Sequence, residues 1–273
     1  MKNKIPIIVK IIDGTPIIIN YYEYEFIIVT VHNLYMKNAI EIKNLTKNFG
    51  ELRAVDNLSL SIKEGELFGL LGPNGSGKTT TVKLLTGQLK PNKGSASVLG
   101  INVLKNPIKV RELVGIIPEQ ETPPSFLTSE EYLKFVGKIR NLDNIEERCN
   151  HWLEFLEFED QRNVLCKDLS RGTRQKLMFA QAFLHEPKVA FIDEPLINLD
   201  PVIQRKVKDY LQGYVRNGGT LFFSTHVLEI AEEICTRIGI IDKGGLIYEG
   251  PIKDLKKKRQ HLEEFFLKLV REA

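Results

Sequence analysis

From Met36 onwards the chain alternates short apolar runs with stretches of helical periodicity. The apolar runs predict strands at Ala39–Leu45, Leu58–Ile62, Leu67–Leu71, Val114–Ile117, Val189–Ile192, Leu221–Ser224 and Ile238–Ile241. Apolar residues recurring at three and four positions predict helices at Lys78–Thr86, Ser129–Ile139, Ile145–Phe155, Arg174–Leu184, Val202–Val215 and Leu228–Ile234. Thr128, followed three residues later by Glu131, reads as a capping box at one helix start. Strands alternating with helices argue for an α/β core with a mainly parallel sheet, because a parallel neighbour needs a crossover that a helix supplies. Between about residues 120 and 167 strand signals vanish, which predicts a helical subdomain inserted in that core.

The two ends differ from this middle zone. Residues 1–35 are rich in Ile, Tyr and Asn, and Asp13-Gly14 sits between apolar runs as a hairpin turn would. One reading pairs Ile7–Ile12 with Ile17–Tyr21 as a hairpin. An isolated hairpin is marginal in water, and this one would expose many isoleucines unless it docked. The favoured expectation is that residues 1–35 are an extension outside the native protein, with the Ile, Asn, Tyr and Lys bias of translated AT-rich upstream DNA. Residues 36–250 then form the main domain and 251–273 a helical tail. In that tail the basic run Lys256-Lys257-Lys258-Arg259 leads into Leu262–Val270, where Leu262, Phe265, Phe266 and Leu269 share one helical face.

With 273 residues, 42% of them hydrophobic, the chain can bury a full core in one or two domains. A formal net charge of only +3 gives no sign of a nucleic-acid binder. Cys149, Cys166 and Cys235 form no CxxC pair and read as reduced, buried thiols. The stretch Ile5–Val31 is broken by Lys10, Asp13-Gly14, Pro16 and Tyr21-Tyr22-Glu23-Tyr24-Glu25, so it is too interrupted for a membrane span or a signal peptide. Any role at a membrane would leave the crossing to other chains.

The chemistry is concentrated in three segments. Gly72-Pro73-Asn74-Gly75-Ser76-Gly77-Lys78-Thr79-Thr80 follows a predicted strand and opens a predicted helix, the context a phosphate-binding P-loop requires. Its glycines let backbone N–H groups approach phosphates, the helix N-terminus adds positive dipole, and Lys78 brings a full charge to the β/γ-phosphates. Thr79 offers a hydroxyl to Mg²⁺. The second segment, Val189-Ala190-Phe191-Ile192-Asp193-Glu194, ends an apolar strand in two acids at the sheet's carboxyl edge. Asp193 is the candidate metal residue and Glu194 the candidate base for the attacking water.

The third segment is Leu169-Ser170-Arg171-Gly172-Thr173-Arg174-Gln175, just before a helix and shortly before the acidic strand. By chemistry alone Ser170 is a helix cap. In this order and spacing the chain resembles the ABC ATPase family, whose signature runs L-S-G-G-Q; Arg171 and Thr173 depart from it. The resemblance covers Ala39 to about Glu249, and the tail is similar to that of exporter-type subunits.

The resemblance implies a P-loop cassette with an antiparallel β subdomain beside the parallel sheet and the helical insert. It implies that Ser170 and Gly172 touch the γ-phosphate of ATP, that Asp200 belongs to the D-loop, and that His226 is the switch histidine. Phe49 takes the position of the ring that stacks on adenine, with ordinary core as its rival role. Glu119 aligns with the Q-loop residue, although Gln120 follows it directly.

Two cassettes of this family bind head to tail, so a complete site needs a second ABC subunit, either a copy or a sister chain. The function implied is an ATPase subunit of an exporting transporter, at the cytoplasmic face of the membrane beside integral membrane subunits. A soluble ABC ATPase, such as one of iron–sulfur assembly, is the alternative. A nucleotide scaffold without hydrolysis is disfavoured by Glu194 and His226, and a GTPase by the lack of an Asn-Lys-x-Asp motif.

Overall fold

Strand residues in the core sheet send alternate side chains to opposite faces, and both faces are buried. The computed structural model describes residues 8–12, 15–22, 25–30, 37–119, 123–194, 196, 198–257 and 262–272. Its contacts separate two compact units, residues 1–38 and 39–273. In the first, β1 (Ile8–Ile12), β2 (Thr15–Tyr22) and β3 (Glu25–Thr30) form an antiparallel meander. Ile12 lies opposite Thr15, the pairing a turn at 13–14 demands, although those two residues lie outside the described ones. The third strand was not foreseen.

The second unit holds two sheets. β4 (Asn38–Phe49), β5 (Leu52–Lys63), β7 (Lys93–Val98) and β8 (Ile101–Asn102) form one, in the order β5-β4-β7-β8, and its β4–β7 and β7–β8 pairings are antiparallel. The other is six-stranded. It contains β6 (Leu67–Leu71), β9 (Val114–Ile117), β10 (Val189–Asp193), β11 (Thr220–Thr225), β12 (Arg237–Asp242) and β13 (Gly245–Pro251). Its order is β13-β12-β6-β11-β10-β9, parallel throughout except for β13 on the edge.

Along β10, Val189 and Phe191 join one apolar cluster while Ala190 and Ile192 join the other. Leu67 and Leu71 against Phe68 and Leu70 repeat the division on β6. Such strands read as continuous apolar runs because neither face meets water.

Helices cover both faces. α1 (Lys78–Leu85) and α2 (Pro107–Leu113) contribute to the cluster shared with the four-stranded sheet. On the other face lie α5 (Arg171–Phe183), α6 (Pro201–Arg216) and α7 (Leu228–Ile234). The tail supplies α8 (Ile252–Lys257) and α9 (Leu262–Glu272), with Phe265 edge-on to Tyr248 at 4.8 Å.

The helical insert consists of α3 (Ser129–Ile139) and α4 (Ile145–Phe155), and Thr128 with Glu131 forms the expected capping box. It is anchored by aromatic packing: Trp152 on α4 stands 5.2 Å from Tyr210 on α6 and 5.8 Å from Phe179 on α5. The three cysteines are buried free thiols, and burial pushes that of Cys149 up to about 11. Among the described residues no helix is long and apolar enough to cross a membrane.

Candidate active site

At the carboxyl end of β6 the chain turns through residues 72–77 into α1. The turn is closed by a Ser76 N–H bond to the Pro73 carbonyl at 3.2 Å, and the Ser76 carbonyl accepts from the Gly244 N–H at 3.0 Å. Gly77 sits at φ 107°, and a Cβ there would lie 2.2 Å from the Ala54 carbonyl oxygen. At Gly72 a Cβ would meet the Ile241 carbonyl oxygen at 2.3 Å. These two positions therefore admit glycine alone. α1 starts without a side-chain cap and without an acid in its first turn, so its positive end is left to an anion.

Lys78 is buried, and its Nζ donates to the carbonyls of Gly72 at 2.8 Å and Pro73 at 3.1 Å. Burial lowers its pKa, while the carboxylates of Glu194, Asp193 and Glu119 pull it back up. Asp193, the last residue of β10, is only 2% exposed, and neither carboxylate oxygen has a hydrogen-bond partner. Burial raises its pKa. The nearby hydroxyls of Thr79 and Ser224 offset this only in part, and neither reaches hydrogen-bond geometry with it.

Glu194 follows in the left-handed region at φ 53°, a conformation that costs a non-glycine residue about 1–2 kcal/mol. Such strain persists where the surroundings over-determine it. The surroundings do so here. Its backbone N–H donates to the Ser224 carbonyl at 3.0 Å. One carboxylate oxygen accepts from the Thr225 hydroxyl at 2.9 Å, and the other accepts from the His226 N–H at 2.8 Å. The His226 ring Nδ1 also lies 2.5 Å from that second oxygen. Glu119, beyond β9 and Pro118, accepts from the Thr79 hydroxyl at 3.2 Å. Gln120, its rival for the Q-loop position, lies outside the described residues.

Phe49 is 45% exposed and is not core; the Lys47 ammonium lies 5.0 Å from its ring centroid. It stands with Leu52 and Ala54 at one side of a cleft of about 380 Å³. Asn74, Gly75, Gly77, Lys78, Thr79 and Thr80 line the same cleft, together with Glu119, Asp193 and Glu194. Gly72 and Pro73 contribute through the carbonyls that hold Lys78, Ser76 is buried in the loop, and His226 joins through Glu194.

Three expected residues are not in this cleft. Ser170 caps α5, accepting from the Thr173 N–H at 3.1 Å. A Cβ on Gly172 would come 2.8 Å from the Asn198 carbonyl oxygen, so the two loops pass closely there. Asp200 caps α6, accepting from the N–H groups of Ile203 at 3.0 Å and Val202 at 3.1 Å, and the bond from Ile203 is the main cause of its lowered pKa. Ser170 and Asp200 thus each cap a helix and are exposed, and neither lines the cleft.

Leu52, Ala54 and Thr225 are site residues that the sequence reading missed. The first two carry no polar signature. Thr225 had a signal, lying beside His226 at the end of a predicted strand.

The cleft sets three carboxylates against one ammonium, a balance that repels a polyphosphate. Asp193's partnerless buried oxygens beside the Thr79 hydroxyl fit a hard divalent cation, which takes oxygen ligands and would reverse that balance.

The ABC transporter family matches residues 55–197, a segment running from the wall of the cleft through the P-loop to the acidic strand end. The chain belongs to this family. Among ABC relatives, the ATP-binding protein YhcH of Bacillus subtilis is 37% identical over 221 residues, covering 80% of this chain and 72% of that one. The bacitracin transport ATP-binding protein BcrA of Bacillus licheniformis is 33% identical over 233 residues, covering 85% of this chain and 76% of its own. A solved ABC cassette, described as a dimer in a post-hydrolysis state bound to ADP and Pi, is similar with a TM-score of 0.73. It is 26% identical, with 78% of this chain and 98% of that chain covered. The chain is thus an ATP-binding subunit of the ABC transporter class.

Proposed function

We propose that this ABC subunit hydrolyses Mg-ATP in the cleft and drives export through separate membrane-spanning chains. The observation that carries the proposal is Glu194 held by Thr225 and His226, next to the partnerless carboxylate of Asp193 and beside Lys78. The exposed ring of Phe49 stacks on adenine. Backbone N–H groups of residues 75–79 and the positive end of α1 receive the phosphates, and Lys78 adds its charge. Thr79 and Asp193 would hold Mg²⁺, whose positive charge would offset that of the phosphates. Glu194 orients the attacking water and accepts its proton, His226 steadies Glu194 and contacts the γ-phosphate, and Glu119 approaches from the Thr79 side.

The working unit is a head-to-tail pair with a second ABC subunit, in which Ser170, Gly172 and Asp200 of one chain close the cleft of the other. Their place outside their own cleft supports this, as does a similar cassette described as a dimer. The cassette spans residues 36–250 and α9 belongs to the tail. The partner in the membrane meets the helical insert and the segment leading into it, where Phe126, Phe135 and Ile139 are exposed at 76%, 49% and 64%. The subunit works at the cytoplasmic face, peripheral to the membrane. The transport names of its relatives support this reading over a soluble iron–sulfur assembly ATPase.

E194Q tests the function directly. Phosphate release is expected to fall by about 10²–10⁴-fold, the contribution of a positioned base, with ATP still bound. Sizing chromatography with Mg-ATP should show a monomer-to-dimer shift, since the contacts that close the pair are spared. Unchanged hydrolysis in E194Q removes Glu194 from its role.

A further inference from the structure

Thr225 ends β11 with its side chain buried, and its hydroxyl takes part in two bonds. Its oxygen accepts from the Val227 N–H at 3.0 Å. Its proton points to Glu194 Oε2, with the heavy atoms 2.9 Å apart. A hydroxyl has one proton, and a carboxylate at neutral pH can only accept. Val227 occupies a lone pair of Thr225, so the direction of the second bond is determined: Thr225 donates to Glu194.

Without that bond the carboxylate would be held on one side only. His226 supplies both remaining contacts, its N–H and its ring Nδ1, and both fall on Oε1. Two donors on a single oxygen leave the carboxylate free to swing about that atom. Thr225 on Oε2 removes this freedom. The His226 ring is nearly half exposed, whereas Thr225 is 1% exposed and belongs to a central strand. We infer that Thr225 is a positioning residue for hydrolysis, fixing the carboxylate plane of Glu194 so that one oxygen faces the attacking water. The inference rests on the reading of Glu194 as the base.

The Val227 bond adds a second consequence. It ties the Thr225 hydroxyl to the residue that precedes α7, so Glu194, β11 and the start of α7 share one hydrogen-bonded unit. A carboxylate displaced by even a fraction of an ångström loses its alignment with a water, and misplacement of this order is costly in rate.

T225V, nearly isosteric, removes the hydroxyl and keeps the packing. Steady-state ATPase assays on the full chain should show kcat lowered about 10-fold, the loss expected for a misaligned general base. KM for ATP should stay within about twofold and Mg-ATP dimerisation should persist, because no phosphate contact is removed. T225S, which restores the hydroxyl, should recover most of the lost turnover. T225A must reproduce the selective kcat loss, which covers the case in which T225V melts low. Wild-type kcat in both T225V and T225A, a parallel rise in KM, or a failure of T225S to recover would each overturn the inference. E194Q in the same series separates the two levels. An inactive E194Q with a fully active T225V overturns the positioning role alone, whereas an active E194Q overturns the base assignment and this inference with it.

Discussion

The cleft around Lys78 and the surface around Ser170 are both built from helix N-termini, and they treat their polar groups in opposite ways. In the cleft, α1 has no side-chain cap, and Asp193 keeps two buried oxygens without partners. On the other surface Ser170 caps α5 and Asp200 caps α6, each accepting from N–H groups of its own helix. The first region is polar in excess of what its own chain satisfies, the mark of a place for ligands. The second is satisfied locally and exposed, so it keeps its shape without a ligand and can be presented as a preformed surface. The proposed order, nucleotide first and closure on a second subunit afterwards, needs this division.

Breaking the cleft side should give the larger effect. K78A deletes a charge-assisted contact to phosphate, and affinity for a fluorescent ATP analogue should drop by about 10–100-fold, equivalent to about 1.4–2.7 kcal/mol. The fold should survive, because the partners lost are two backbone carbonyls at the edge of the loop. Equal binding by K78A would remove the P-loop from the nucleotide site and with it the contrast drawn above.

A smaller effect is expected at the Q-loop position. E119A should lower turnover by about 10-fold, since Glu119 reaches Thr79 from outside the loop, and Q120A should cost less. Phosphate-release assays on the two variants compare the registers directly. A larger loss in Q120A would move the Q-loop position one residue on.

S170A acts on the other surface and should show the smallest change in nucleotide affinity, none beyond about twofold. Loss of the cap should cost about 1 kcal/mol of stability, visible in thermal melts. The test of the contrast is dimerisation: Mg-ATP should drive S170A to dimer less readily than the unaltered chain in sizing chromatography. Full dimerisation with the expected thermal loss would leave Ser170 as a cap and nothing more.

Much of this site could be read along the chain because its parts are local. The P-loop is one strand-turn-helix, and its glycines are required at Gly72 and Gly77 because a Cβ there would clash with carbonyl oxygens 2.2–2.3 Å away. β6, β9 and β10 are legible as continuous apolar runs because both faces are buried, and their predicted ends match within a residue. β7 escaped, since Lys93–Val98 carries Lys, Gly, Ser and Ala and is a strand through its pairing with β4 and β8. α2 escaped for a related reason: only Val110 of its seven residues is buried, too few to show a period. β13 is held by its neighbour β12 at the sheet edge, with a register shift between Ile240 and Ile241 that no local pattern announces.

The sequence by itself determined the family, the order of the chemical segments and the residue types at each, because these depend on short-range geometry: turn, helix start, strand end. Tertiary structure decided which of them meet. Glu194 is separated from Thr225 by 31 residues, and only the parallel pairing of β10 with β11 brings their ends together. Phe49 became a cleft wall instead of core through the packing of a separate sheet, although its sequence neighbourhood allowed both. Ser170 and Gly172 stayed outside the cleft that their chemistry suits, because α5 packs against the opposite face of the sheet from α1. Contacts between distant segments are set by which apolar faces must be covered, and that depends on the whole chain at once.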